Sequence, residues 1–351
     1  MQEVFRHIFH FNRPNDSKWR LINAGICILI INVIGYVSGN YSFNAVGSMG
    51  VFTFLNYTPT EGSRIMKRLV FVGIVLTISY NLGMLSTLNP WLPPIIIGLI
   101  AFFSRLFFRL FQVDKPGDLF AVLCAGAGAT RPVTLSEMPQ LAFFFICGVA
   151  LSIIMGYITL RIEDAPKQST SLNLSLVERI RSHPRSVVDS FNYAISLFFV
   201  SYINLALGFG SYSWMMVSAS AILQGNTLLQ IYSRNFQRII GTVLGLITAA
   251  LLLSLSLNIT TKIIIIVVFY MIVEYYMPRN YSVAIFFVTN MVMLQMTLAT
   301  PDIWPELLEA RFFGITIGSI LGALSATLQY RLYHFYSHTI INERTYDDDF
   351  Q

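Results

Sequence analysis

The feature that most constrains this chain is a series of long windows almost free of charge, among them residues 21–39, 141–160, 239–257 and 312–330. At 1.5 Å per residue a helix of ~20 residues crosses an apolar layer of about 30 Å. A chain with several such windows folds in a bilayer. The whole sequence agrees, with 55% hydrophobic residues, 12% charged and a mean hydropathy of +0.62. A soluble globule is excluded, and the net charge of +5 does not point to nucleic acid because the cations sit in loops between apolar segments.

Read end to end, the sequence predicts an all-α polytopic membrane protein of twelve segments. A cytoplasmic N-terminus at 1–20 precedes segments at 21–39, 42–56, 67–86, 91–110, 118–131 and 140–160, the first transmembrane repeat (21–160). A basic cytoplasmic linker follows at 161–190. The second repeat (191–331) holds segments at 191–209, 212–227, 239–257, 262–278, 282–299 and 310–331, and a cytoplasmic tail closes the chain at 332–351. The first apolar stretch is of full membrane length behind the polar FNRPNDSKWR, so a start-in anchor is expected and no cleaved signal or large soluble domain. With both ends in the cytoplasm, every Lys and Arg of the 23 except Arg131, Lys262 and Arg311 falls on the inner side, as the positive-inside rule requires.

Both halves follow one rhythm: long, short, long, long, short, long. They also match in letters. GNYSFNAVGS (39–48) aligns with GSYSWMMVSA (210–219), SRIMKR (63–68) with SRNFQR (233–238), and KPGDLFAV (115–122) with MPRNYSVA (277–284). An internal duplication with six crossings per copy places the copies in parallel, about an axis along the membrane normal. Equivalent residues then line any pathway on that axis.

The pairs Arg64/Arg68 and Arg234/Arg238 have two readings. They can snorkel to inner headgroups and fix topology, or they can gather anions at the cytoplasmic mouth, since residues four apart share a helix face and guanidinium binds carboxylate bidentately. Depth in the membrane separates the readings. Arg105 and Arg109 form a third pair. Glu274 is the only acid within an apolar segment, a candidate for proton coupling or for an interfacial pair with Arg279 or a loop arginine.

In the short segments, Asn44, Ser48, Ser213, Ser218, Gln224, Thr289 and Asn290 need partners if buried. The run AVLCAGAGAT (121–130) suits close helix packing or a pathway beside the backbone. Phe43 and Trp214, at matched positions beside Tyr41 and Tyr212, read as an outer aromatic belt or as a stacking platform for a solute. Nothing points to catalysis. His7, His10, His183, His334 and His338 lie in termini or the linker, and no HExxH, CxxC, phosphate-binding loop or GxSxG occurs. Cys27, Cys124 and Cys147 show no metal-like spacing. No enzyme, metal or cofactor is expected.

SYSWMMVSASAILQ…SRNFQRIIGTVLGLITAALL (211–252) resembles the fusaric-acid-resistance-like inner-membrane proteins of the aromatic acid exporter superfamily. The likeness rests on Trp214, Arg234, Arg238, Gly241, Thr242 and Gly245, and on Arg311 and Gly318 in ARFFGITIGSILGALSA (310–326). The first half keeps Tyr41, Ser42, Arg64, Arg68 and Gly73 but lacks the Gly-Thr pair. The resemblance implies a bacterial inner-membrane efflux system for aromatic carboxylic acids, or a relation to plant malate channels in which two six-helix units build one anion pathway. The family's larger members carry a soluble domain that this chain replaces with a linker. The expected function is export of organic anions between two pseudo-symmetric halves. Arg68, Arg238, Arg64, Arg234, Trp214, Phe43, Ser213 and Asn290 mark the pathway and Glu274 the coupling site. Its partners are a small organic anion and the lipid bilayer, not nucleic acid, with a homo-oligomer or a membrane partner left open. Handling of anionic lipid or polymer, or scaffolding of a partner enzyme, is the alternative. The linker stretch 165–185 is where a scaffold would recruit.

Overall fold

A computed structural model describes residues 17–348 apart from 59–61, 112, 114–116, 131–132, 164–175, 183–184, 209–212, 226, 256 and 299. Arg6, His7, His10, Arg13, Lys115, Arg131, Lys167, most of the 165–185 stretch, His183, Tyr212 and Asp349 therefore lie outside the described residues, as do the side chains of His334, His338, Arg344, Asp347 and Asp348. The described chain is helical. Helices α1 (Lys18–Val37), α2 (Tyr41–Val51), α3 (Gly62–Ser86), α4 (Leu92–Leu110), α5 (Gly117–Gly128) and α6 (Met138–Glu163) make the first half, with a 3-10 turn at Phe52–Asn56 continuing α2. After the short α7 (Leu176–Ser182) come α8 (Arg185–Ala206), α9 (Trp214–Ile222), α10 (Leu228–Ser254), α11 (Ile259–Tyr276), α12 (Tyr281–Met296) and α13 (Trp304–Asp348).

Local chemistry sets the ends. Ser17, Asn40, Thr227, Asn258 and Asn280 each precede a helix and accept a hydrogen bond from a backbone N–H of its first turn, which satisfies one otherwise orphaned donor. Pro93 and Pro94 open α4, where the missing N–H costs nothing. Gly39 and Gly208 stop α1 and α8 at φ of 66° and 73°, a left-handed conformation that glycine reaches without Cβ strain.

Eight described helices are long and apolar enough to cross a membrane: α1, α3, α4, α6, α8, α10, α11 and the Trp304–Leu332 part of α13. The chain is a multi-pass membrane protein. The other segments expected to cross, at α2, α5, α9 and α12, are 11, 12, 9 and 16 residues long, below the ~20 residues that span unaided. Several bounds differ from the sequence reading: α10 begins at Leu228 where 239 was expected, α8 at Arg185 where 191 was, and α9 ends at Ile222 where 227 was.

Packing within the two halves is alike. Helix α2 lies on α6 as α9 lies on α13, α5 lies on α3 as α12 lies on α10, and α4 meets α5 as α11 meets α12. The close approaches use glycine. A Cβ on Gly148 of α6 would come 2.1 Å from the Gly47 carbonyl oxygen of α2, and one on Gly318 of α13 would come 2.2 Å from that of Met215 in α9. Backbones this close recover packing that lipid tails cannot supply. The halves join by exchange: α4 packs on α8, α11 on α1, α5 on α9 and α2 on α12.

Candidate functional site

The arginines separate by depth and by partner. Arg64 is exposed at the start of α3. Arg68, half-buried, donates from Nη1 to Thr58 Oγ1 at 2.8 Å in the turn before that helix. Arg234 is half-buried, with its guanidinium 5.0 Å from the Tyr281 ring centroid. Arg238 is different. It is 5% exposed, ten residues and so about 15 Å along α10. It donates from Nε to Ser218 Oγ at 2.9 Å and from Nη1 to Tyr281 Oη at 2.8 Å. Among the described residues it has no carboxylate partner.

Ser218 ties that arginine to α13, donating to the Ile315 carbonyl at 2.9 Å and sharing a hydrogen bond with Ser319 at 2.6 Å. One turn before Ile315 on α13 stands Arg311, 2% exposed. Its guanidinium carbon lies 4.3 Å from the Trp214 ring centroid, and Nη2 reaches Thr289 Oγ1 at 3.5 Å. Among the described residues Nε and Nη1 have no hydrogen-bond partner, nor has the buried Nε1 of Trp214 or the Oγ1 of Thr242. Asn290 turns to α10 and accepts from Thr248 at 2.9 Å, while buried Ser213 lies against Gly126 of α5. Four helices, α9, α10, α12 and α13, thus enclose two buried guanidinium groups, neither of which has an acid partner among the described residues.

Phe43, the match of Trp214, packs edge-on against Phe144 with centroids 5.2 Å apart. Both Phe43 and Trp214 are mostly buried, which removes Phe43 from an outer belt and places Trp214 under a cation. Sequence reading missed Arg311 as a site residue and put it at the outer edge. A signal was available: Arg311, Gly314, Gly318 and Gly322 fall on one helix face, and all three glycines meet α9. That spacing turns the arginine toward a helix interface and away from lipid.

A second cluster joins the halves. Arg105 of α4 donates to Asp118 of α5 at 3.1 Å and to the Leu223 carbonyl after α9 at 3.2 Å, and lies 4.2 Å from the Tyr193 ring centroid on α8. Gln224 donates to the same Asp118 oxygen at 3.0 Å, and Tyr193 shares a hydrogen bond with Ser220 at 2.5 Å. On the opposite seam Glu274 of α11 accepts from Arg20 of α1 at 2.9 Å. Glu274 is thus buried and paired with an arginine far away in sequence, while the Arg279 guanidinium lies over Tyr275. Asn44 and Gln295 both donate to the Asn32 side-chain oxygen, at 3.3 and 3.1 Å, between α1, α2 and α12. Ser48 Oγ is buried without a partner.

Residues 195–325, which contain α9, α10, α12 and the first part of α13 with Arg311, match the family described as fusaric acid resistance protein-like. The likeness to this family thus falls in the second half. Over 146 residues, 41% of the chain, the sequence is 28% identical to the uncharacterized membrane protein YvaC of Bacillus subtilis (strain 168), and the match spans 23% of that relative's length. No solved structure matches.

Proposed function

We propose that the chain exports small organic anions, aromatic carboxylates among them, along the seam where the short helices of its two halves meet. The observation that carries the reading is Arg238. An ionised group inside the membrane normally faces the bundle interior and pairs with an opposite charge or marks an ion path, and the groups bound to Arg238 are neutral hydroxyls. Arg64, Arg68 and Arg234 form the approach from the cytoplasm and draw anions to a low-dielectric mouth. A negative-inside potential of 100 mV supplies about 2.3 kcal/mol per exported charge, enough to drive release with no enzyme activity and no cofactor.

The proposed architecture has twelve crossings in two parallel six-segment repeats, with both termini in the cytoplasm of a cell inner membrane. Supporting it, the segment from α2 through the turn after it runs beside α6 over nearly its whole length. Phe43 touches Phe144 near one end, Val51 accepts from Ser152 midway, and Tyr57 Oη donates to Glu163 at 2.8 Å at the other. A short helix so aligned reaches the depth of a long one. Glu274, fixed by Arg20, serves as a strut in this reading, and a coupling role for it requires that pair to open.

Efflux from proteoliposomes loaded with aromatic and aliphatic carboxylates tests the proposal, with an imposed potential and separately a pH gradient. Release should follow the potential and vanish in the Arg68→Gln/Arg238→Gln protein. No release of any carboxylate from folded, oriented protein rejects it and favours lipid handling or scaffolding.

A further inference from the structure

Two unpaired buried guanidiniums invite the question of where an anion would rest. Arg311 is the sharper case. Its π contact with Trp214 and one long hydrogen bond to Thr289 leave two of its three nitrogens without acceptors. Trp214 Nε1–H beside it is a third buried donor without one. A buried donor left unmade is costly, and a surplus of donors with net positive charge is what an oxyanion satisfies. Next to this polar group the surroundings change. Trp214 also packs against a small separate apolar cluster of Leu246, Ala249, Met293 and Leu307, with Met296 at its edge. Leu307 is one helical turn from Arg311 on α13. Methionine accommodates ligand shapes more readily than branched side chains do.

We propose that Arg311 and Trp214 form a single anion station in the second half, taking the carboxylate of a small amphiphilic acid whose apolar body lies against Leu246, Met293 and Leu307. The proposal rests on the export reading and deepens it by placing the resting site within α9, α10, α12 and α13, off the symmetry axis. Arg238, joined to α13 through Ser218, sits on the cytoplasmic side of the station and hands anions to it. The first half has no such station: its matched aromatic, Phe43, packs on Phe144. One chain then binds one anion, although its halves share a fold.

The test uses full-length protein in nanodiscs of neutral lipid, so that no headgroup competes. Trp19, Trp91 and Trp304 are replaced by Phe, leaving Trp214 as the only indole, and 4-nitrobenzoate is titrated as a quenching carboxylate with benzoate and chloride as competitors. The expected results are saturable quenching at one equivalent per chain, displacement by benzoate well below the chloride concentration needed, and at least tenfold weaker binding in Arg311→Met. The same substitution removes an unpaired buried charge and should raise Tm, which separates lost recognition from lost folding. Arg311→Lys keeps the charge without the planar fork and should bind with intermediate affinity. Unchanged affinity in Arg311→Met, or displacement by chloride and benzoate alike, overturns the station. Efflux that fails while Trp214 binding persists would instead overturn export and leave the station standing.

Discussion

The two halves are built alike and equipped differently. In each, a short helix lies along the last long helix on glycine, at Gly148 in one and Gly318 in the other. At the aromatic position of that short helix they part. Phe43 meets Phe144 in an apolar edge-to-face contact, whereas Trp214 lies beneath Arg311. Three residues before Phe144 the first half has buried Leu141; three residues before Gly314, which meets the Trp214 backbone and Cβ, the second has Arg311. Arg68 and Arg238, matched in sequence, differ in the same sense. One bonds the loop before its helix, the other lies inside the bundle. Both halves bury charge, but among the described residues the first half pairs its buried arginine, Arg105, with Asp118, while Arg238 and Arg311 of the second have no acid partner. The packing of short helix on long helix does not depend on a cation over the aromatic position, because the first half makes it with Phe43 against Phe144.

The seams between halves offer the strongest way to break this comparison. The Arg105–Asp118 pair, within the first half but bonded across to Leu223 and Gln224, stands at one seam, and Arg20–Glu274 spans the other; the charge on the fourth helix of each half is reversed, Arg105 on α4 and Glu274 on α11. Arg105→Met leaves Asp118 buried beside Gln224 alone, and removing one partner of a buried pair costs about 3–5 kcal/mol. We expect the largest loss of Tm in the set, with Glu274→Met close behind. Equal tolerance at both seams would mean that the ion pairs are not what aligns the halves. Next comes Arg311→Met, expected to stabilise by roughly 2 kcal/mol, toward the lower figure for burying an unpaired arginine in a bilayer. Arg68→Met should not stabilise, because its donor contact with Thr58 is lost and its charge is half-solvated. Thermal unfolding in detergent of both variants checks the contrast, and a like response would erase the distinction between the halves.

The helical class and the eight long apolar helices were legible in the sequence because charge-free length is a local property. The segment at 140–160 became α6 and that at 262–278 became α11 almost unchanged. What failed to show was who meets whom. Arg20 and Glu274 are 254 positions apart, and no local pattern pairs them. Asp118 read as the first turn of a small-residue segment, yet its carboxylate gathers groups from α4 and the end of α9. Arg238 was picked out by the repeat, but its depth depends on α10 beginning at Leu228, five residues before the matched Ser233. Arg311 was hidden by its neighbours. Glu306 and Glu309 make the stretch look like a solvated helix start, and only the glycine face beyond it tells which way the arginine turns.

The shared scaffold can be sharpened by paired glycine substitutions. Gly148→Ala and Gly318→Ala each push a methyl to within about 2 Å of a facing carbonyl oxygen, and overpacking of this kind costs about 1–3 kcal/mol. The two should be equally harmful to Tm, while only Gly318→Ala should also weaken anion binding, since it moves α9 and with it Trp214. If Gly148→Ala disturbed binding as much, the anion site would have to be shared between halves.

The smallest effect is expected at Arg109 and Asp189, which pair between α4 and α8 with side chains 35% and 48% exposed. This contact joins α4 to α8 one turn from Arg105, whose own acid partner Asp118 is on α5, and a count of ion pairs would rank the two equally. Solvent decides otherwise. Charges open to water or headgroups gain little from each other, and such pairs contribute about 0–1 kcal/mol. Asp189→Asn should therefore shift Tm by no more than a degree or two and leave efflux unchanged. Raising salt should erase even that difference, because the Debye length falls from about 10 Å at 0.1 M to about 3 Å at 1 M. A loss comparable to Arg105→Met would show that the whole length of the α4–α8 contact, and not its buried node, holds the halves in register.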